Sequence, residues 1–384
     1  MQFELQTPPT IPSCASSREM RKIGYYAGWG NRRACTKVAP HEVDWTGFTG
    51  AIFAFATISE GMEIQQKEHH NLKEVTVAVG GWNFSEDART SHLFSDMISK
   101  TDSRKTFISS VKKFLTDYKL DGIDIDFEYP AAIERNASAT DTPNFTAFIK
   151  ELREALPTQV ISCATPAGYW FLKGFEIDKI AEHVTYLNMM SYDYHGPWDL
   201  TVKDPAQKPV TNPQTSIRDI QNSVELYMRA GVKNLAKVNL GLAYYGRDYK
   251  LLDSKCVGYN CNMTGGGYKG PCTSESGILA QFEIEEELAK LKVKSPPTFP
   301  TLDVDSLTWW FDNDGSLVTY DQPDTWAIKS SFAANRCFGG TFIWSVDLVK
   351  PKTSRRVGTS CSGVGHDAFT SEKWSGQEPL GVGL

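Results

Sequence analysis

Several things are scarce in this 384-residue chain, and each scarcity removes a class of function. Basic residues are not in surplus: 40 Lys and Arg face 46 Asp and Glu, a formal charge of -6, so no basic footprint exists for nucleic acid or anionic lipid. No apolar run nears the roughly 20 residues that cross a bilayer. The amino terminus, from Met1 to Pro9, shows no basic region followed by an apolar segment, so no signal peptide is visible. No repeat of fixed period occurs. The thiols do not form two Cys-x-x-Cys hooks and no histidine stands beside Cys256, Cys261 and Cys272, which argues against zinc. What remains is an ordinary globular composition, 41% hydrophobic and 22% charged, long enough for one large barrel or two smaller domains.

Eight cysteines and four Asn-x-Ser/Thr sequons, at Asn83, Asn136, Asn144 and Asn262, lean toward an oxidising, extracellular setting. Cys256, Cys261 and Cys272 crowd one Gly-rich loop and suit local disulfides, though pairing does not follow from sequence. The expectation is a secreted protein.

The most informative stretch is residues 120–130, Leu-Asp-Gly-Ile-Asp-Ile-Asp-Phe-Glu-Tyr-Pro. It reads as a buried strand with acids where apolar residues belong. Period-two alternation sends Asp124, Asp126 and Glu128 to one face and Ile123, Ile125 and Phe127 to the other. The plain alternative is an acidic row on a solvent-facing edge strand; the β-branched neighbours and Pro130 favour a core strand ending at a rim. Close like charges should share a proton between Asp124 and Asp126 and leave Glu128 as a proton donor.

Seven other apolar strands follow the same pattern: residues 22–28, 49–57, 74–81, 160–165, 186–193, 238–243 and 339–345. Helical stripes fall between them, at 103–118 (Phe107, Ile108, Val111, Phe114, Leu115), from 141 onward (Phe145, Phe148, Ile149, Leu152, Leu156), at 217–230 and at 324–336. Eight apolar strands alternating with helices predict an α/β fold, a closed (β/α)8 barrel of parallel strands. About residues 246–318, rich in Gly, Cys and Pro, are too long for a connection and predict an inserted α+β subdomain between strands 7 and 8. Residues 1–20 read as an irregular lead-in, 21–350 as the barrel and 351–384 as a polar tail. Only about fifteen residues, 59–73, separate the second and third strands, so the helix there is expected to be very short or missing.

The motif Asp121-Gly-x-Asp-x-Asp-x-Glu128 resembles the active-site strand of glycoside hydrolase family 18, the chitinase family. The resemblance covers residues 21–350. Arg21-Lys-Ile-Gly-Tyr-Tyr and Cys256-x4-Cys261-x-x-x-Gly-Gly-Gly bring it nearest to the fungal class V, killer-toxin-like group. It implies a retaining chitinase in which the substrate's own acetamide is the nucleophile. On that basis Glu128 is the general acid, Asp126 holds the acetamide N–H and Asp124 shares its proton. Met190-Ser-Tyr-Asp193 matches the family's Met-x-Tyr-Asp, with Tyr192 on the acetamide oxygen and Asp193 near the distorted sugar; core packing is the alternative for Met190 and Tyr192. Tyr245-Gly-Arg247 matches Tyr-Gly-Arg, with Arg247 donating to sugar hydroxyls or serving as a structural ion-pair partner. Trp344 would be the floor under the −1 sugar, or a core tryptophan. Trp198 would form part of the cleft rim, and Tyr25, Phe55 and Trp82 would line the pocket or belong to the core.

Two departures from the family pattern stand out. Phe127 replaces the usual Trp, and Ala78 replaces a frequent Ser, which removes a possible hydrogen bond to the acidic row. The resemblance implies no cofactor and no metal, and a monomer acting on chitin and chito-oligosaccharides. The insertion would wall one side of the cleft and favour processive or exo-like action. A family enzyme cutting N-glycan cores is a weaker rival. A chitin-binding lectin or toxin-like subunit is the alternative from another class; dead relatives usually lose the glutamate that is present here as Glu128. A phosphate-handling metabolic barrel lacks its Gly-rich loop after the seventh strand.

Overall fold

The computed structural model describes residues 9–14, 19–56, 72–201, 208–296 and 298–350. Eight parallel strands close into a barrel: β1 (Arg21–Ala27), β2 (Gly50–Ala56), β3 (Glu74–Gly80), β4 (Gly122–Asp126), β5 (Val160–Pro166), β6 (Tyr186–Met190), β7 (Val238–Ala243) and, last in the chain, β14 (Gly340–Trp344). The order around the barrel is β1-β14-β7-β6-β5-β4-β3-β2, so β14 returns to pair with β1 and leaves no edge. The (β/α)8 expectation holds.

Helices form where the apolar stripes lie. Thr101–Tyr118 (α3, after the short α1 at Trp82–Glu86 and α2 at Leu93–Ser99) buries Phe107, Ile108, Val111 and Leu115. Asp141–Ala155 (α4) buries Phe145, Phe148, Ile149 and Leu152 against the outer face of the strands. Each such side chain contributes about 1.5–3 kcal/mol by leaving water. Among the described residues, five helices lie outside the sequence-derived set: α1, α2, α5 (Tyr169–Leu172), α6 (Ile177–His183) and α8 (Gln281–Lys292). The other two match their stripes, α7 at Ile217–Arg229 and α9 at Pro323–Asn335. The doubtful crossover between β2 and β3 lies, for residues 57–71, outside the described residues, as does the tail.

Between β7 and β14 the chain builds an antiparallel sheet with its own helix. Strands β8 (Tyr245–Leu251), β10 (Ile278–Ala280), β11 (Thr301–Asp303), β12 (Thr308–Asn313) and β13 (Ser316–Tyr320) run in the order β10-β8-β13-β12-β11. β9 (Met263–Gly266) adds to β8. This sheet and α8 make the inserted α+β unit, with a core of its own around Leu279, Ile284, Phe311 and Tyr320.

Three disulfides tie these layers together. Cys256–Cys261 is local, as the loop composition suggested. Cys272 instead reaches Cys35, 237 positions away, and so pins the insertion to the loop after β1. Cys14–Cys337 fastens the lead-in beside α9. Sequence crowding suggested a local partner for Cys272 because it registers only nearness along the chain. No helix among the described residues is long and apolar enough to cross a membrane.

One buried ion pair joins insertion and barrel: Lys329 Nζ on α9 meets Asp321 Oδ1 and Oδ2 at 2.6 and 2.7 Å, and also donates to Thr215. Both side chains are 1% exposed. Removing one partner strands the other's charge, whereas removing both does not. Lys329→Met should therefore cost about 3–5 kcal/mol in urea unfolding, and adding Asp321→Leu should recover most of it. A single variant as stable as the parent would refute this view of the pair.

Candidate functional site

β4 supports the site by dividing its side chains. Outward, Ile123, Ile125 and Phe127 enter the layer beneath α3 and α4, where Phe127 stacks on Phe94 at 4.7 Å and meets Phe145 edge-on. Inward, Asp124, Asp126 and Glu128 are all buried, the most exposed being Glu128 at 6%. The ladder ends at Asp126, earlier than the sequence suggested, so Glu128 sits just past the strand at the carboxyl rim. Room for this rim comes from Gly80, where φ is +112° and a Cβ would lie 2.1 Å from the Asp126 carbonyl oxygen.

Asp124 receives three donors. The Tyr25 hydroxyl reaches Oδ2 at 2.8 Å, Ser162 Oγ reaches Oδ1 at 2.6 Å and Asn188 Nδ2 reaches Oδ1 at 3.3 Å. Ala78 lies level with Asp124 on β3, and the hydroxyl it lacks is supplied from the opposite neighbour, β5, by Ser162. Burial still outweighs these donors and pushes the Asp124 carboxyl up to about 6. Asp126 is driven well up by burial, then by the charges of Glu128 and Asp124, and its Oδ1 has no hydrogen-bond partner. Burial pushes Glu128 up to about 7, against the opposing pull of the Tyr129 hydroxyl and the Arg135 guanidinium. Mutual repulsion, the cause expected from sequence, is thus secondary to desolvation. The row can hold protons near neutral pH and can surrender one.

β6 stops at Met190, three residues before the expected end, so Tyr192 and Asp193 lie on the turn beyond it, with Asp193 at φ +56°. Tyr192 stands edge-on to Phe342 and Tyr245, at 5.9 and 6.1 Å, and Met190 packs against both the inner and outer apolar clusters. Arg247, on β8, gives its Nε and Nη2 to the two oxygens of Asp193, each at 2.7 Å, while its guanidinium lies 4.7 Å from the Trp198 ring centre. Of the two readings open for Arg247, these distances describe the ion pair, which uses two of the five guanidinium N–H donors.

The aromatic candidates separate. Trp344 is half-buried, stacked on Phe55 at 5.6 Å and near Tyr25 and Trp29. Tyr25 is 2% exposed and donates to Asp124. Tyr245 is buried too. Trp82 is exposed on another side of the mouth, with the Arg135 guanidinium 3.7 Å from its ring centre.

Several members of the site went unnoticed in the sequence. Trp29 joins the aromatic cluster and is 42% exposed. Arg135 Nη1 donates to the Glu128 carbonyl oxygen, and Ser85 Oγ accepts from the Glu128 N–H. Ser162, Asn188 and Asn239 point into the barrel from β5, β6 and β7. The last three did leave a signal: each is a polar residue inside an otherwise apolar buried strand.

A closed parallel barrel whose carboxyl rim holds buried acids beside half-buried tryptophan defines a (β/α)8-barrel protein of the glycosidase type. The chain belongs to the glycosyl hydrolases family 18, whose model matches residues 21–348. Among curated proteins it is 30% identical over 358 residues to "Secreted chitinase LysM12" of Penicillium expansum, covering 86% of this chain and 24% of that one. It is 30% identical to "Killer toxin subunits alpha/beta" of Kluyveromyces lactis (88% and 30% covered) and 27% identical to "Chitotriosidase-1" of Mus musculus (85% and 72% covered). The chain thus spans about a quarter of the Penicillium relative. Among solved structures, the Ostrinia furnacalis Group IV chitinase in complex with allosamidin superposes with a TM-score of 0.75 at 24% identity, covering 86% of this chain and 93% of that one. Human YKL-39, described as a pseudo-chitinase with retained chitooligosaccharide binding properties, superposes at 0.71 with 22% identity, covering 86% and 93%. These two likenesses concern the fold.

Burial of the row ties stability to pH. Asp124 and Glu128 hold their protons more tightly folded than unfolded, so the unfolded chain ionises first as pH rises. The contribution of these two groups to stability should be full below about pH 4 and be lost as pH rises to about 7. Glu128→Gln should remove a part of that loss on the order of 3 kcal/mol, read from urea unfolding at pH 4, 6 and 8. An identical pH dependence in the variant would overturn the burial argument.

Proposed function

We propose that the protein is a chitinase that hydrolyses β-1,4 linkages between N-acetylglucosamine units with retention. The observation that supports this most is Glu128, buried at the rim with its carboxyl pushed up to about 7, two residues from the buried Asp126. A carboxyl poised there is protonated often enough to give its proton and ionised often enough to take one back.

In this mechanism Glu128 gives its proton to the glycosidic oxygen. As that bond breaks, the carbonyl oxygen of the −1 sugar's acetamide bonds to the anomeric carbon from the opposite face, forming an oxazolinium ion. Asp126, protonated at rest, passes its proton to the ionised Asp124 as charge develops, and its carboxylate then accepts the acetamide N–H and balances the positive charge. The Tyr192 hydroxyl donates to the acetamide oxygen, and the Trp344 indole supports the sugar's C–H face. Glu128, now ionised, takes a proton from water. The oxygen of that water bonds to the anomeric carbon, opens the oxazolinium ring and restores the original configuration. No protein nucleophile is required. Asp193, held by Arg247, borders this site from the turn after β6.

Asp124, Asp126, Glu128, Tyr192 and Trp344 all come from one chain, so a monomer suffices. Three disulfides favour work outside the cell, on chitin and chito-oligosaccharides.

The test is release of fluorophore from a chitotrioside, beside Glu128→Gln. The wild type should give a bell-shaped pH profile with its alkaline limb near 7, and the variant should lose at least about 10²–10⁴-fold in kcat while still binding chitin. A folded wild type that binds chitin without turnover would defeat the enzyme reading in favour of a lectin or toxin-like subunit.

A further inference from the structure

Beneath the acidic row, a line of polar side chains crosses the barrel interior, where apolar packing is the rule. Arg21 Nε, at the start of β1, donates to Asn239 Oδ1 at 3.0 Å. Asn239 Nδ2 donates to Asn188 Oδ1 at 2.9 Å. Asn188 Nδ2 donates to Asp124 Oδ1 at 3.3 Å and to the Tyr25 hydroxyl at 2.9 Å, which in turn donates to Asp124 Oδ2 at 2.8 Å. Asn188, Asn239 and Asp124 are each 0% exposed.

The polarity of this line is fixed at its lower end. A guanidinium has only donors, so the oxygen of Asn239 must face Arg21 and its NH2 must face Asn188. The oxygen of Asn188 is thereby engaged, and its NH2 is turned up toward Tyr25 and Asp124. Tyr25, accepting from Asn188, has its proton free for the carboxylate. Every link therefore ends on Asp124 as a donor, the arrangement that favours an ionised carboxylate. A charged donor at the start of a chain also strengthens the later bonds by polarising them.

We infer that Arg21 and Asn239 are positioning residues for the reaction proposed above: through Asn188 and Tyr25 they keep Asp124 as the ionised member of the row, leaving the shared proton on Asp126. Neither residue touches the space above the row. The inference rests on the chitinase reading for its consequence in catalysis, though not for its geometry. Other groups face Asp124 as well. Asp126 shares its strand, Ser162 and Cys163 approach from β5, Tyr186 from β6, and β3 presents only Ala78 at that level. Lower down, Tyr186 donates to Glu74 Oε1 and lies beside the Arg21 guanidinium, so Glu74 is the anion nearest the base of the line.

The experiment measures kcat/KM against pH on a fluorogenic chitotrioside for wild type, Asn239→Leu and Arg21→Met, with thermal melts to establish folding. Losing the relay raises the proton affinity of Asp124, so the acidic limb should move up by roughly 0.5–1 in pH while the alkaline limb, set by Glu128, stays in place. A purely structural role would lower activity or melting temperature and leave the acidic limb unmoved. That result in the folded variants would overturn the inference; should Asn239→Leu fail to fold, Arg21→Met decides. Carboxyl-carbon NMR of Asp124 supplies a readout independent of turnover. If the wild type proves inactive, the chitinase reading falls, and the relay stands or falls on whether the Asp124 titration moves upward in the variants.

Discussion

The structure depends on keeping three carboxyl groups out of water along one short strand. Desolvation dominates the proton affinity of Asp124, Asp126 and Glu128 alike, and it opposes folding at neutral pH. Such a row survives only where the surrounding scaffold is rigid and well filled. The alternate residues of β4 provide that directly: Ile123, Ile125 and Phe127 are nearly fully buried beneath α3 and α4. One strand thus holds the most costly side chains of the barrel back to back with some of its most stabilising ones.

Charge management then differs at each acid, and the differences give the three carboxyls different proton affinities. Asp124 is saturated with donors from β1, β5 and β6. Asp126 has no partner for Oδ1 and is the most strongly driven to keep a proton. Glu128, past the end of the ladder, lies between a tyrosine hydroxyl and the Arg135 guanidinium. Three similar side chains spaced two apart acquire three environments because the barrel surrounds them with different strands. Donors fixed in place before substrate arrives need no reorganisation when charge develops.

Much of this was legible in the sequence, because strong periodicity and a strange composition are local signals. The eight strands, the inward direction of the acids and the long insertion all follow from runs that a strand or helix period explains. What escaped needed knowledge of who faces whom across the barrel. Cys272 sits beside Cys261 in the chain and bonds Cys35 in space. Tyr25, read as pocket lining or core, is a buried donor to Asp124. The end of β6 was placed too late because Met190-Ser-Tyr-Asp193 has strand composition, while the backbone turns at Asp193 to meet Arg247. The polar residues inside β5, β6 and β7 were visible but unread: Ser162, Asn188 and Asn239 each break an apolar run, and local rules break most often where function intervenes.

The contact between Asp193 and Arg247 shows why the insertion belongs to the site rather than decorating the barrel. Asp193 leaves the barrel on the turn after β6, whereas Arg247 arrives on β8, the first strand of the insertion. Their two-fold hydrogen bond, covered on one side by Trp198, joins sheet to barrel beside Tyr192 and Tyr245. A planar guanidinium matched to a carboxylate fixes orientation as well as distance. The disulfide from Cys35 to Cys272 fastens the same insertion to the loop after β1, across the mouth from β6. Held at two separated points, the insertion cannot tilt about either one alone. Both attachments lie at the carboxyl end of the barrel, so the insertion is tied to the same end of the molecule as the acidic row.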